Sequence, residues 1–306
     1  MHCTTVASLK MSDEPHFCMF IQKTDMLCLH VLHKDEERVH YIIEHPKEFY
    51  TEFLRYKTDK LGYKRQNKPQ YTDRFGEYWT RIINPPKEEL KDIQKRINKY
   101  LIDNIRIPAY AYGGIKHKDN IRNARYHKGQ KYVFQTDLKD FFPYITHKKV
   151  YEMFVRVGFS HDVSSLLTKL TTYKGHLPQG APTSTTIANL VFMPTGLALQ
   201  AIAEREGLRF TTFVDDVTVS SQTDFKHIVP EIIEIITSSG FKISQGKTTY
   251  KSGITDITGV KMLNNSMTMT DKIKASIEKE ENKTSPRAKG LLNYSERIKT
   301  ISKSKK

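Results

Sequence analysis

Cysteine is scarce in this chain of 306 residues: Cys3, Cys18 and Cys28 are the only three, all early and none in C-x-x-C spacing. That pattern argues against a disulfide framework and against a cysteine-built zinc site. No apolar run approaches the roughly 18 residues a membrane-crossing helix requires, and no secretory signal pattern is present, so no membrane partner is expected. No internal repeat is present. Acid is in short supply as well: 34 Asp and Glu stand against 49 Lys and Arg, a net charge of +15. A surplus of that size favours a polyanionic partner, while solubility alone also accounts for it. The length suffices for a sizeable core and two or three subdomains.

Against that background, Phe213-Val214-Asp215-Asp216 stands out, set inside the apolar run Phe210 to Val219. Burying ionised groups without partners costs several kcal/mol each, by the usual order of magnitude, so acidic pairs belong on solvated loops. The run alternates and is rich in β-branched and aromatic residues, which predicts a hairpin with Asp-Asp at its turn. Two carboxylates projected together call for a positive partner, and hard oxygen ligands suit Mg²⁺ shared with substrate phosphates. A third carboxylate, Asp137, ends the apolar strand Lys131 to Asp137 and precedes Phe141-Phe142. One acid at a strand end and a pair on a turn are the parts of a two-metal phosphoryl-transfer site. On these residues alone, ordinary turn aspartates remain the alternative.

Asp137-Leu-Lys-Asp-Phe-Phe-Pro, Leu177-Pro-Gln-Gly-Ala-Pro-Thr-Ser and Phe213-Val-Asp-Asp follow one another in the order and spacing of a reverse transcriptase palm. Asn123-Ala124-Arg125-Tyr126-His127 matches the N-A-x-x-H signature of bacterial retron reverse transcriptases, and Ile257-Thr258-Gly259 resembles their V-T-G motif. Several spaced motifs in one order carry far more weight than any one of them. From about residue 78 to about 295 the chain therefore resembles a retron-type reverse transcriptase, an RNA-directed DNA polymerase. The resemblance implies an α+β right-hand fold with fingers, an antiparallel-sheet palm and a short helical thumb. Residues 1–45 would be an N-terminal extension of open role, with Met11 as an alternative start. Fingers would span 46–130, palm 131–264 with finger helices inserted around 148–176, and a short basic thumb 265–306.

Coarse patterning places the motifs. Residues 17–32 contain apolar stretches readable as short strands or one buried element. Bases and tyrosines interleave over 46–80, which suits either a nucleic-acid groove or a solvated hairpin. Tyr78 to Ile83 reads as a strand closed by Asn84-Pro85-Pro86, and Leu90, Ile93, Ile97 and Leu101 predict the helix after it. His147 to Thr172 reads as helical, as does Thr186 to Ala203, where Ala188 and Ala198 would allow close packing. Ile228 to Ser239 reads as an amphipathic helix stopped by Gly240.

By resemblance, Asp137 and Asp215 would hold two Mg²⁺ ions, with Mn²⁺ able to substitute, and Asp216 would support them. Arg81 would lie near the incoming triphosphate, and Phe142 beneath the sugar, favouring dNTP over NTP while also packing the core. Gln179 would contact the nucleotide, Gly180 letting the chain pass closely, and Lys247 would lie near the leaving pyrophosphate. Gly113 and Gly114 would border the template strand. Asn123 and His127, like Ile257, Thr258 and Gly259, are expected to be structural or RNA-contacting. The family pattern is departed from at Phe213, Thr185 and Ser244, none of them a metal ligand.

The implied partners are dNTPs, a noncoding RNA that is both template and primer, its branched DNA product, and an effector protein in antiviral defence. The implied location is a bacterial cytoplasm. A non-retron defence reverse transcriptase making long or untemplated DNA would keep the same three aspartates. A non-catalytic RNA-binding protein on a polymerase scaffold is the alternative outside the enzymes.

Overall fold

The structure, a computed structural model, describes residues 23–58, 62–65, 80–278 and 285–303, and the side chains of 53–58, 62–65, 80 and 81 lie outside the described set. Helix α1 (Thr24–Leu27) runs into a π turn at Cys28–Leu32, and Leu27, Cys28, Val31 and Leu32 are buried on one helical face. The 26–32 stretch is thus one buried helical element, not strands. His33, at φ 50°, ends it, and Asp35 caps α2 (Glu36–Glu44) by accepting from the Arg38 amide at 2.7 Å. Val39 and Ile42 join the same main core, so residues 23–45 are packed into the fold. The expectations for residues 1–22 lie outside the described residues. Burial pushes the Cys28 thiol up to about 11, which makes it packing and not chemistry.

After α3 (Pro46–Phe49), strands β1 (Phe53–Thr58), β2 (Gly62–Arg65) and β3 (Thr80–Ile83) form an antiparallel sheet in the order β2-β1-β3. Helix α4 (Glu88–Asn104) buries Leu90, Ile93, Ile97 and Leu101, the face its spacing requires. Then come α5 (Asn120–Tyr126), β4 (Tyr132–Asp137), α6 (Phe141–Tyr144), α7 (His147–Arg156), α8 (His161–Thr171) and α9 (Ser184–Arg205). The rest comprises β5 (Arg209–Phe213), β6 (Asp216–Ser221), α10 (Val229–Ser238), β7 (Thr249–Ser252), β8 (Thr255–Ile257), β9 (Val260–Met262), β10 (Met267–Met269), α11 (Asp271–Glu278) and α12 (Pro286–Lys303). This is the α+β arrangement the strand and helix patterns imply.

The central sheet is antiparallel, in the order β5-β6-β4-β7. Side chains alternate across it. Phe134, Val217, Val219 and Phe210 join the main core with α7 to α10, while Val133 joins a second, smaller core. That second core also holds Ile121 and Ala124 of α5, Ile257, Val260, Met262 and Met267 of the β10-β9-β8 sheet, and Ile298 of α12. It draws residues from both sides of the expected boundaries at 130 and 264.

Three readings are corrected. The 147–172 segment is two helices: Gly158 takes φ 112° and Ser160 caps α8, accepting from the Val163 amide at 3.3 Å. Ala198 is exposed, and the close approach on α9 is at Gly196, where a Cβ would sit 2.8 Å from Cε2 of the Tyr110 ring. α9 is also long and apolar enough to cross a membrane by length and composition, contrary to the run-length reading, but 67% of that window is buried inside this protein. Pro194 inside α9 cannot donate to the Leu190 carbonyl four residues back. Arg156 of α7 donates to that carbonyl at 2.7 Å instead, binding the two helices together.

Candidate active site

The β5–β6 hairpin turns through Val214 and Asp215, with Phe213 opposite Asp216. Val214 has φ 59°, a region a β-branched residue enters at a cost of about 1–3 kcal/mol unless its surroundings hold it there. β6 pairs in turn with β4, and the register sets Asp216 directly opposite Asp137. Directly opposed residues of an antiparallel pair have Cα atoms roughly 4.5–5.5 Å apart and project to one face. That face also carries Gln135, Thr218 and Thr249, and it is the side turned away from the main core. Two backbone bonds brace the corner: the Leu138 amide donates to the Asp215 carbonyl and the Ser244 amide to the Asp137 carbonyl, both at 2.8 Å.

The three carboxylates repel one another. Burial, then Asp215, then Asp137 push the Asp216 carboxyl up to about 6, while Lys247 pulls the other way. Lys247 ends a 3₁₀ turn (Gln245–Lys247), and its Nζ donates to Asp137 Oδ1 at 2.6 Å. Asp137, Asp216, Lys247 and Thr249 line an open cleft of about 120 Å³, too small for a nucleotide. Among the described residues no three His, Cys, Asp or Glu side chains stand as a finished metal cage. The donor set still fits Mg²⁺, which takes one or two carboxylates plus substrate phosphates and waters. An opposed pair of aspartates and a third on the adjoining turn, with Lys247 paired to Asp137, gather the negative charge that cations favour.

The other expected residues fall on separate elements. Gln179 and Gly180 lie in the loop before α9, where the Asn84 amide donates to the Gln179 carbonyl at 2.8 Å. Gly180 has φ 101°, and a Cβ there would fall 2.8 Å from Ile83 Cγ2, so this loop is pressed against the end of β3. Ser184, at the start of α9, fastens it by donating to the Pro178 carbonyl at 2.6 Å. Phe142, on α6, is half-buried and meets the Phe141 ring edge-on at 5.8 Å. Arg81 falls on β3, opposite Arg55, which is itself opposite Arg65, and their side chains lie outside the described residues.

A family model described as reverse transcriptase (RNA-dependent DNA polymerase) matches residues 72–276. The chain belongs to the reverse transcriptase family. It is 36% identical to the retron Ec86 reverse transcriptase of Escherichia coli over 170 residues, 55% of this chain and 53% of that protein. To the retron Se72 reverse transcriptase of Salmonella heidelberg (strain 579083-10) it is 34% identical over 177 residues, 56% of this chain and 47% of that one. This chain thus spans about half the length of these curated relatives. Among solved structures, telomerase from Candida albicans with a fragment of telomeric RNA overlays with a TM-score of 0.47 at 11% identity, covering 64% of this chain and 45% of that one, a likeness too slight to bear on the chemistry.

The remaining motif residues gather elsewhere, around α5. Asn123 and His127 are each 1% exposed and Ile257 is fully buried. Asn123 Nδ2 donates to Thr258 Oγ1 at 3.3 Å, and that hydroxyl donates to the Asn120 carbonyl at 3.0 Å. Thr258 and Gly259, at φ 44° and 80°, make the two-residue turn between β8 and β9, the pair of positive angles a type I′ hairpin needs. His127 sits just past α5, its Nδ1 2.6 Å from Ser220 Oγ and its Nε2 2.7 Å from Thr211 Oγ1. Burial, with Arg209 second, pushes its pKa down to about 3, so the ring is neutral. N-A-x-x-H and V-T-G therefore form one structural joint, which neither motif reveals when read alone.

Gly113 and Gly114 lie on the other side of the hairpin, against Val214 and Thr185 respectively. Asn189 of α9, missed from sequence, donates to the Gly113 carbonyl at 3.0 Å. A polar residue inside the apolar stretch Ile187 to Met193 was the available signal.

Proposed function

We propose that this protein is a retron-type RNA-directed DNA polymerase, copying a cognate noncoding RNA into DNA in antiviral defence with an effector protein, in a bacterial cytoplasm. The observation that carries the chemistry is the register that sets Asp216 opposite Asp137, with Asp215 on the adjoining turn. Asp137 and Asp215 would hold two Mg²⁺ ions, Asp216 alongside them, and Mn²⁺ would substitute. When bound, such ions lower the pKa of the attacking hydroxyl and offset charge on the leaving oxygens. In the reaction the primer hydroxyl forms a bond to the α-phosphorus of a dNTP and pyrophosphate leaves. Nucleotidyl transfer asks mainly for positioning and charge neutralisation.

The chain's own side chains supply the rest. Lys247, paired here with Asp137, keeps that carboxylate compensated before substrate arrives and then gives a proton to the departing pyrophosphate. Arg81, on β3, is assigned to the triphosphate, as the family resemblance implies. Gln179 and Gly180 close on the nucleotide from the loop beneath β3, and Phe142 excludes a ribose 2′-hydroxyl. Fingers (46–130), palm (131–264) and the basic thumb (265–306) are the proposed division of labour, with the thumb reading an RNA hairpin.

The test is DNA synthesis on the cognate RNA by the wild-type chain and by a variant carrying Asp215→Asn and Asp216→Asn. Loss in the variant is expected, and sequencing the wild-type product after debranching should reveal a 2′–5′ joint. Equal synthesis by both proteins would overturn the assignment of the carboxylates. A product without the joint would overturn the retron reading alone.

A further inference from the structure

Residues 110–112 run alongside β5 as an unlabelled fifth element of the central sheet. The Tyr112 amide donates to the Thr212 carbonyl at 2.8 Å and the Thr212 amide to the Tyr110 carbonyl at 2.9 Å. Ala111 forms a parallel bridge with Thr212. The next residue in this segment, Gly113, comes level with the turn that carries Asp215.

Gly113 is absent from the positive-φ residues, so nothing in its backbone angles calls for glycine. Space does. A Cβ at this position would collide with the Val214 amide nitrogen, lie 2.5 Å from Val214 Cγ2 and 3.0 Å from the Phe213 carbonyl carbon. The first and last of these are main-chain atoms, which no side-chain rotation removes. Nor can the glycine segment back away. Asn189, in buried α9, holds the Gly113 carbonyl, and Gly114, at φ 72°, lies against the side chain of Thr185 in the first turn of the same helix. Pressed between α9 and the hairpin, the segment abuts the strained Val214 main chain.

We propose that Gly113 is a positioning residue for Asp215: its bare backbone packs the Val214–Asp215 turn into place, and α9 backs it through Asn189 and Thr185. The inference rests on the polymerase reading for its consequence, though not for its geometry. A methyl group at 113 displaces the turn and with it the carboxylate, because the other side of the segment is fixed.

The experiment compares the full wild-type chain, Gly113→Ala, Val214→Gly and the double variant. Each is assayed for thermal unfolding in chelator, for Mn²⁺ affinity by paramagnetic resonance titration, and for kcat and KM of dNTP incorporation on a homopolymer RNA with a DNA primer. Gly113→Ala should fold, bind Mn²⁺ more weakly and lose about 10²-fold in kcat, the scale of a misplacement near 1 Å, with KM for dNTP changing little. Val214→Gly removes Cγ2 and frees the positive φ but leaves the Val214 amide and the Phe213 carbonyl carbon in place, so the double variant should regain stability while kcat and Mn²⁺ affinity stay low.

Wild-type kcat and Mn²⁺ affinity in Gly113→Ala would overturn the proposal, as would a double variant that regains both in full. Should Gly113→Ala fail to fold, the double variant must recover folding as well, and its failure to do so would also overturn it. A wild-type chain that makes no DNA would sink the polymerase reading, while the Mn²⁺ titration would still decide on Gly113.

Discussion

Replacing Asp216 by Asn should make the metal-free protein more stable and the enzyme worse. The Asp216 carboxyl is raised from 3.8 to about 6, first by burial, then by Asp215 and Asp137, against a smaller pull from Lys247. A raised carboxyl pKa means that the folded chain holds the proton more tightly than the unfolded one. Below about pH 4 both states are protonated and there is no cost. As pH rises from about 4 to about 6 the unfolded chain ionises first and stability is lost, and above that range the full cost is present. A shift of roughly two units, at 1.36 kcal/mol each, makes that cost about 3 kcal/mol. Asn has almost the same shape and stays neutral. In chelator at pH 7.5, urea unfolding should therefore show D216N to be more stable by up to about 3 kcal/mol, with the gain gone at pH 4. Magnesium should narrow the difference, because a cation relieves the same repulsion. DNA synthesis should fall in the variant at every pH. The reasoning is refuted if D216N gains nothing at pH 7.5, or if its gain persists at pH 4.

Lys247→Met should lower kcat by about 10²-fold or more with KM for dNTP nearly unchanged, the mark of a lost proton donor. Its stability should hardly move, because the lysine side chain is 55% exposed and such pairs contribute at most about 1 kcal/mol. Gly180→Ala should cost about 1–3 kcal/mol in urea unfolding, from the φ of 101° and the collision with Ile83, and should raise KM for dNTP by shifting the loop against β3. Arg156→Met should cost about 1.5–3 kcal/mol by leaving the Leu190 carbonyl unpaired, and much less in a Pro194→Ala background, where a returned amide satisfies that carbonyl. Equal costs in the two backgrounds, measured by urea unfolding, would sink that account.

Much of the site was legible because its signals are local. An alternating run with acids at its centre can only be a hairpin that projects them, and a strand ending in Asp137 carries its own period. What sequence could not choose was which acid of the pair faces Asp137, since that depends on strand register, and a slip of one residue exchanges 215 for 216. Long-range space was illegible for the same reason. Nothing in Tyr112-Gly113-Gly114 says that one glycine answers a backbone angle and the other a neighbouring main chain. The 147–172 segment read as one helix because its apolar residues continue across a break made by Gly158 and Ser160. Ala198 read as a contact although the apolar face of α9 turns past it.

The joint around α5 reframes what the retron-like motifs demand. Asp119, which caps α5, pairs with Arg297 of α12 at 2.5 Å, and Asn120 Nδ2 donates to Tyr294 Oη at 2.7 Å. Lys128 beyond the other end reaches the Ser302 carbonyl of α12 at 2.6 Å. His127, between these contacts, ties the same helix to β5 and β6, the strands that flank the Val214–Asp215 turn. A neutral imidazole bonded to hydroxyls at both nitrogens cannot serve as an acid or base without giving up one of those bonds. Its value is geometric: it fixes the distance between α12 and the hairpin using two strong, directional contacts in a dry interior. An asparagine at 123 and a threonine at 258 do the same for the β8–β9 turn. On this argument these residue types are needed to keep α12 and the β5–β6 hairpin in one rigid frame, and on the proposed function RNA would be read by the surface that frame presents, not by the buried motif side chains themselves.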